Sequence, residues 1–227
     1  FLRVHDGWNP RIVVGSLPSK ANPESQPVKW AEVLKQKPLW YQTDEAARIA
    51  DQVVLYQKEN GGWEKNVDMA LMLTQKELAG IAAKRSDTSE TTIDNRATYS
   101  QIAYLAKVIT ASLLKQTPPA NFPKYKEAFD RGVDFLFAAQ YSNGGFPQYF
   151  PLKKGYYTHI TFNDDAMIGV LNVVRDIATG TEFYRFVDTT RRQKAAAAVA
   201  KAVELILQLQ VVDGGKKTVW AQQYDET

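Results

Sequence analysis

A handful of side chains in the sequence could bind or polarise an oxygen-rich ligand, and they occur in two near-identical settings. The stretch over residues 157–171 places Asn163, Asp164 and Asp165 at the mouth of an apolar helix, with His159, one of two histidines, just before them. Upstream, Thr92-Ile93-Asp94-Asn95-Arg96-Ala97 repeats the order of Thr161-Phe162-Asn163-Asp164-Asp165-Ala166. In both, a threonine and an apolar residue lead into two Asx residues, and a helix follows. Carboxylates at a helix N-terminus gain from its partial positive charge and free N–H groups, so each acid alone could be a cap. A cap needs one side chain, however, and these motifs offer a surplus. Oxygens converging from two helix mouths are what a hard cation such as calcium needs, with water completing roughly six to eight ligands. Zinc fits less well, because only His159 offers nitrogen and the chain has no cysteine. The expectation is that the two mouths face one cleft and together hold a divalent cation.

Other residues nearby carry two readings each. His159 is either hydrogen-bonded to backbone at an interface or, with Asp165, a contact for a ligand. Trp63 is either a packing wedge or a face on which a sugar stacks while the Lys65 ammonium meets a carboxylate. Arg96 either pairs with a neighbouring acid or adds positive charge where an anionic substrate sits.

The elements that must position these residues are helical. Residues 28–36 read as a short helix ending before Pro38. Thr43-Asp44-Glu45 opens a helix with an N-cap and an acidic first turn, and Ala46, Ile49, Ala50, Val53 and Val54 keep helical spacing. Further helices are expected over residues 75–84, from the upstream mouth with Ala97, Ile102, Leu105 and Ile109 inward, over 125–139, from the downstream mouth to about 177, and over about 190–210. Strand signals are weak and lie mainly around 146–158 and 216–224. The pattern Gln-x-x-(Asn/Asp)-Gly-Gly recurs at 57, 140 and 210, each time after a helix, because Asn and Gly tolerate the left-handed conformation that closes one. Such self-similarity indicates repeated helical hairpins, arranged as a stack or a closed toroid. The fold class is all-α. Residues 1–27, with Pro10, Pro18, Pro23 and Pro27, read as an irregular lead-in, with Trp8 as an anchor onto the body.

Composition narrows the function classes. The 227 residues suffice for one sizeable core. With 28 basic and 25 acidic residues the net charge is +3, so no global field calls for nucleic acid. Absence of cysteine excludes thiolate metal sites, disulfides and cysteine nucleophiles. There is no apolar run of the roughly 18 residues that a membrane-spanning helix needs. The start, Phe-Leu-Arg-Val-His, has neither an initiator Met nor a signal-peptide pattern, and reads as processed or trimmed.

Taken together, several motifs resemble polysaccharide lyase family ten, pectate lyases built as an α/α toroid. The resemblance runs from Trp40 to Tyr224. It rests on Asn-Gly-Gly-Trp-Glu-Lys-Asn at 60–66, Thr-Ile-Asp-Asn at 92–95, Ala-Ala-Gln-Tyr-x-Asn-Gly-Gly at 138–145, and above all the run from Gly155 to Ile168. It implies a secreted enzyme that cleaves α-1,4-linked polygalacturonate by β-elimination with calcium. It also implies active-centre roles for Asp94 and Asp164, with Asn95 joining them, and substrate contacts at Trp63 and Lys65. The base it implies is an arginine beyond Thr227, so residues 28–227 are expected to be the N-terminal portion of a catalytic domain, inactive without the remainder. Two departures stand out: Arg96 where the family pattern often has glycine, and Glu64 where it has proline. Two other functions fit the coarse features equally: a toroid glycoside hydrolase using Asp94 and Asp164 as acid and base, and a non-catalytic, calcium-dependent pectin-binding module.

Overall fold

The computed structural model describes residues 28–116 and 118–226; the expected lead-in over 1–27 and the Trp8 anchor lie outside them. The described residues form six α-helices, α1 (Asp44–Tyr56), α2 (Gln75–Ala82), α3 (Tyr99–Leu113), α4 (Phe122–Ala139), α5 (Ala166–Thr179) and α6 (Thr189–Gln208), and all but α2 bury side chains in the core. Each begins or ends where local chemistry requires it. The Thr43 hydroxyl accepts the Ala46 N–H at 3.2 Å and so starts α1. Thr74 and Glu77 form a reciprocal capping box at α2. Asp188 accepts the Arg191 N–H at the head of α6, and left-handed Gly180 closes α5.

Helix α3 is the spine. It buries Ile102, Tyr104, Leu105, Ala106, Val108 and Ile109, and packs against α1, α4 and α5. α6 in turn lies along α5, and the buried side chains from Val33 to Leu205 form one cluster. Among the described residues no helix is long and apolar enough to cross a membrane.

The lead segment differs from expectation. In place of an α-helix over 28–36, two 3-10 turns form, Trp30–Lys35 and Pro38–Gln42. Pro38 forces Lys37 into extended backbone, which leaves too few residues for an α-helical nucleus.

The weak strand signals resolve into a narrow, irregular sheet laid across helix ends. Single bridges join Glu64 to Thr91, Thr92 to Tyr149 and Pro147 to Ile160. Strand β1 (Ile160–Thr161) then pairs antiparallel with Gln223–Tyr224, which is β4 in chain order after a small hairpin of β2 (Val212–Asp213) and β3 (Lys216–Lys217). Pro147 and Pro151 lack the N–H that a longer ladder needs. This patchwork sets side by side the segments that carry Lys65, Asp94, Tyr149, His159 and Asn163.

The Gly-Gly motif works as a clamp between helices. Gln57 Nε2 donates to the Gly61 carbonyl at 2.9 Å and to the Ala128 carbonyl of α4 at 2.8 Å. Gln140 Nε2 does the same to Gly144 and to Ala198 of α6, at 3.0 and 2.9 Å. The Asn60 and Asn143 carboxamides accept the N–H of Gly62 and Gly145. Glycine is required in both turns. A Cβ at Gly61, where φ is +92°, would sit 2.3 Å from the Arg131 carbonyl oxygen, and one at Gly144, where φ is +100°, would sit 2.5 Å from that of Lys201. The third copy is open: Gln210 reaches only Thr218, at 3.0 Å, and nothing lies near Gly214.

Candidate active site

The two helix mouths share a pair of left-handed residues, which is not the backbone of a capped helix; upstream an extended Ala97 and a positive-φ Thr98 follow, whereas downstream Ala166 is already helical. Asp94–Arg96 and Asn163–Asp165 are 3-10 turns interrupted by left-handed residues: Asn95 (φ 47°) and Arg96 (φ 68°) in one, Asp164 (φ 54°) and Asp165 (φ 56°) in the other. Asn and Asp visit this region readily; a long side chain such as Arg does so at a cost. Neither α3 nor α5 receives a side-chain hydrogen bond from its N-cap residue, and α3 begins only at Tyr99. Capping is therefore not what holds these acids in place.

The turns pack against each other. Beneath them lies Tyr99, buried at the head of α3, in space left by Gly169 of α5, where an added Cβ would fall 2.3 Å from the ring. Burial pushes the Tyr99 hydroxyl up to about 12; Arg96 opposes that shift, and Asp165, Asp94 and Asp164 add to it. One phenol thus feels the charges of both mouths.

The upstream mouth is closed on itself. Asp94 is 3% exposed; its Oδ1 accepts the Asn95 N–H at 2.9 Å and its Oδ2 accepts the Lys65 ammonium at 2.5 Å. Burial would lower the Lys65 pKa, but hydrogen bonds and charge from Asp94 and Tyr149 outweigh it, and the net shift is upward. Asn95 Nδ2 donates to Asn66 Oδ1 at 3.2 Å. Beside this cluster opens a groove of about 280 Å³, lined by Lys65, Asn66, Asp68, Asn95, Arg96 and Gln101.

The downstream mouth is open. Asp164 and Asp165 are exposed, and Asn163 Nδ2 donates to Asp164 Oδ2 at 2.8 Å. The buried Asn163 Oδ1 has no hydrogen-bond partner among the described residues. The turn is moored by Gln222, whose carbonyl accepts the N–H of both Phe162 and Asn163 at 2.9 and 3.2 Å. His159 lies at the rim, its Nε2 3.6 Å from Asp225 Oδ1.

One expectation needs correction. Trp63 cannot stack on a sugar: it is fully buried, with Nε1 donating to the Val53 carbonyl at 2.8 Å and the indole filling the space above Gly132. It is the packing wedge. Asp94, Asn95 and Asp164 lie on the two turns that pack together, and the Lys65 ammonium pairs with the Asp94 carboxylate. Among the described residues no three acids or histidines converge on one point. The downstream mouth offers two exposed carboxylates and an orphaned carboxamide oxygen, hard donors of the kind calcium takes.

Sequence reasoning missed Tyr99 and Tyr149, which carry no motif of their own; Asn163, aligned with Asp94 in the internal copy, it named among the oxygen donors.

Comparison with known proteins gives the family. The family model of pectic acid lyase matches residues 57–227. A family 10 polysaccharide lyase from Cellvibrio cellulosa is 30% identical in sequence, with a TM-score of 0.68; the match covers 87% of this chain and 54% of that one. An aspartate-to-alanine variant of the Cellvibrio cellulosa family 10 lyase, in complex with trigalacturonic acid, matches at 29% identity and a TM-score of 0.68, over 88% of this chain and 58% of that one. This chain therefore spans just over half the length of those lyases. A comparison with curated proteins returns no match. The mostly helical fold, and a family match over most of the sequence, make this chain a member of the pectic acid lyase family.

Proposed function

We infer that these residues form the substrate- and cation-binding side of a secreted pectate lyase, part of an α/α toroid, that cleaves α-1,4-linked polygalacturonate by β-elimination. The observation that carries the reading is the opposite charge of two adjoining mouths. Lys65 and Arg96 face the groove at one, and Asp164 and Asp165 stand exposed at the other. A polyanionic sugar bridged to a divalent cation matches that division. The trigalacturonic acid complex of the Cellvibrio cellulosa lyase supports the same substrate class.

In this reading Lys65 and Arg96 hold uronate carboxylates, and Asp94 holds Lys65 in place. Asp164, Asp165 and the Asn163 carboxamide oxygen would hold calcium; when bound, calcium withdraws electron density from the C6 carboxylate and makes the C5 proton more acidic. A base takes that proton, its electron pair becomes the C4–C5 double bond, and the C4–O bond breaks to release the preceding sugar. The base is inferred to be an arginine from the portion of the lyase fold outside these 227 residues. Arginine is normally charged, so nearby cations must favour its neutral form.

Polygalacturonate incubated with the enzyme should gain the ultraviolet absorbance of an unsaturated uronate, and chelation with EDTA should abolish it. Unchanged rates after chelation would remove calcium from the mechanism. Products without the double bond would favour a hydrolase. The 227-residue chain alone should give no turnover until the remaining half is supplied, and product without it would place the base among these residues.

A further inference from the structure

Outside the charged centre three tyrosines stand in series, Tyr149 from the sheet and two from the 3-10 turn Tyr156–Thr158. Tyr149, buried, has the Lys65 and Lys153 ammoniums 5.5 and 4.3 Å from its ring centre. Tyr157 meets it edge-on at 5.2 Å, and Tyr156 lies over Tyr157 at 4.2 Å with the planes 35° apart. The backbone is fixed as well: Tyr157 gives its carbonyl to the Gln148 N–H, and Tyr156 gives its own to the His159 N–H. Yet Tyr156 is 52% exposed, so its outer face covers none of the core. The ring is near enough to Lys65 and Asp94 for both charges to act on its hydroxyl.

A rigid, half-exposed phenol is a stacking face, and lysines behind it supply charge for an anion. A uronate pyranose offers both complements, a C–H face and a carboxylate. We propose that Tyr156, backed by Tyr157 and by Tyr149 with Lys153 over its ring, is a further glycan subsite that stacks a galacturonate residue next to the one held at Lys65. The subsite rests on the function inferred above and takes over the stacking role that the buried Trp63 cannot fill. Lys153 also pairs with Glu90, which fixes its stem along the Tyr149 ring.

The test is affinity electrophoresis of the 227-residue chain through gels containing polygalacturonate and calcium, with thermal melts as a control. Tyr156→Ala should weaken binding by about fivefold to tenfold, and Tyr156→Phe, which keeps the ring, should bind within about twofold of the parent. Melting should barely change, because the side chain is half-exposed. Unaltered binding by Tyr156→Ala, alongside weakened binding by Lys65→Met, would overturn the subsite and leave the lyase reading intact. A parent chain that is not retarded at all overturns both. Equal, Tyr156-dependent retardation in a neutral galactan gel would overturn the uronate assignment.

Discussion

The upstream and downstream mouths share a left-handed turn and differ in almost everything else. Both run through two left-handed residues before a helix, and both sit over Tyr99. Upstream, the single acid is buried and neutralised by Lys65, and Arg96 adds a further cation. Downstream, both acids are exposed and a buried carboxamide oxygen has no partner. A duplicated turn has thus been given opposite polarity. The duplication supplies the geometry, and substitution at the aligned pairs, Asp94 with Asn163 and Arg96 with Asp165, sets which mouth attracts anions and which attracts cations. Adjacent sites of opposite sign are what a cation-bridged polyuronate requires.

The contrast is broken most directly at Asp164. In the complete enzyme Asp164→Ala should lower lyase turnover by on the order of a hundredfold or more, because charge aimed at the reacting centre is lost where it acts. Its exposed side chain supports no packing, so helical circular dichroism should be retained. Near-normal turnover would end its assignment as the cation ligand.

Much of this was legible where the chemistry is local. The Gln-x-x-(Asn/Asp)-Gly-Gly repeat marked the clamps at 57 and 140, because a helix stop needs only residues adjacent in sequence. Thr43 and the acids after it located α1 to within a residue. Burial was harder to read: Trp63 is a wedge because Gly132, on a distant helix, leaves it room. The capping reading of the mouths failed because a left-handed Arg96 leaves no mark in sequence, and because the partner of Asp94 is Lys65 across the sheet. Only the third clamp differs from its copies for a visible reason, since no further helix among the described residues lies against Gly214.

Lys65 sharpens the contrast from the cationic side. Lys65→Met should raise KM on polygalacturonate about tenfold and raise it far less on methyl-esterified pectin, whose carboxylates are masked. The substitution also leaves Asp94 buried without its cation, so some stability is lost. Comparing the two substrates on one variant separates the roles, since a stability defect lowers both activities alike. A KM raised equally on both substrates would show that Lys65 serves only to hold Asp94.

The same residue predicts a pH dependence. The folded Lys65 pKa lies above its ordinary value, so its stabilising contribution is fully present below the unfolded lysine pKa of about 10.4. It is lost only as pH rises through the higher folded value. Stability of the parent minus that of Lys65→Met should therefore be flat through neutral pH and decline only in the strongly alkaline range. A decline near neutrality would show that burial, and not Asp94, controls the ammonium.

The smallest effect expected is at Arg96, and it has two opposing parts. With φ at 68°, Arg96 bears the steric cost of left-handed backbone, which glycine would avoid while losing more chain entropy on folding. Arg96→Gly should therefore raise stability by no more than about 1 kcal/mol. The guanidinium would be lost from the groove beside Asn95, so KM on polygalacturonate should rise modestly, by about twofold to fivefold, as for an exposed charge. Opposite movement of stability and affinity would mean that Arg96 is retained for substrate at a cost to the fold. If Arg96→Gly instead lowers the melting temperature and leaves KM unchanged, the upstream mouth owes its positive character to Lys65 alone.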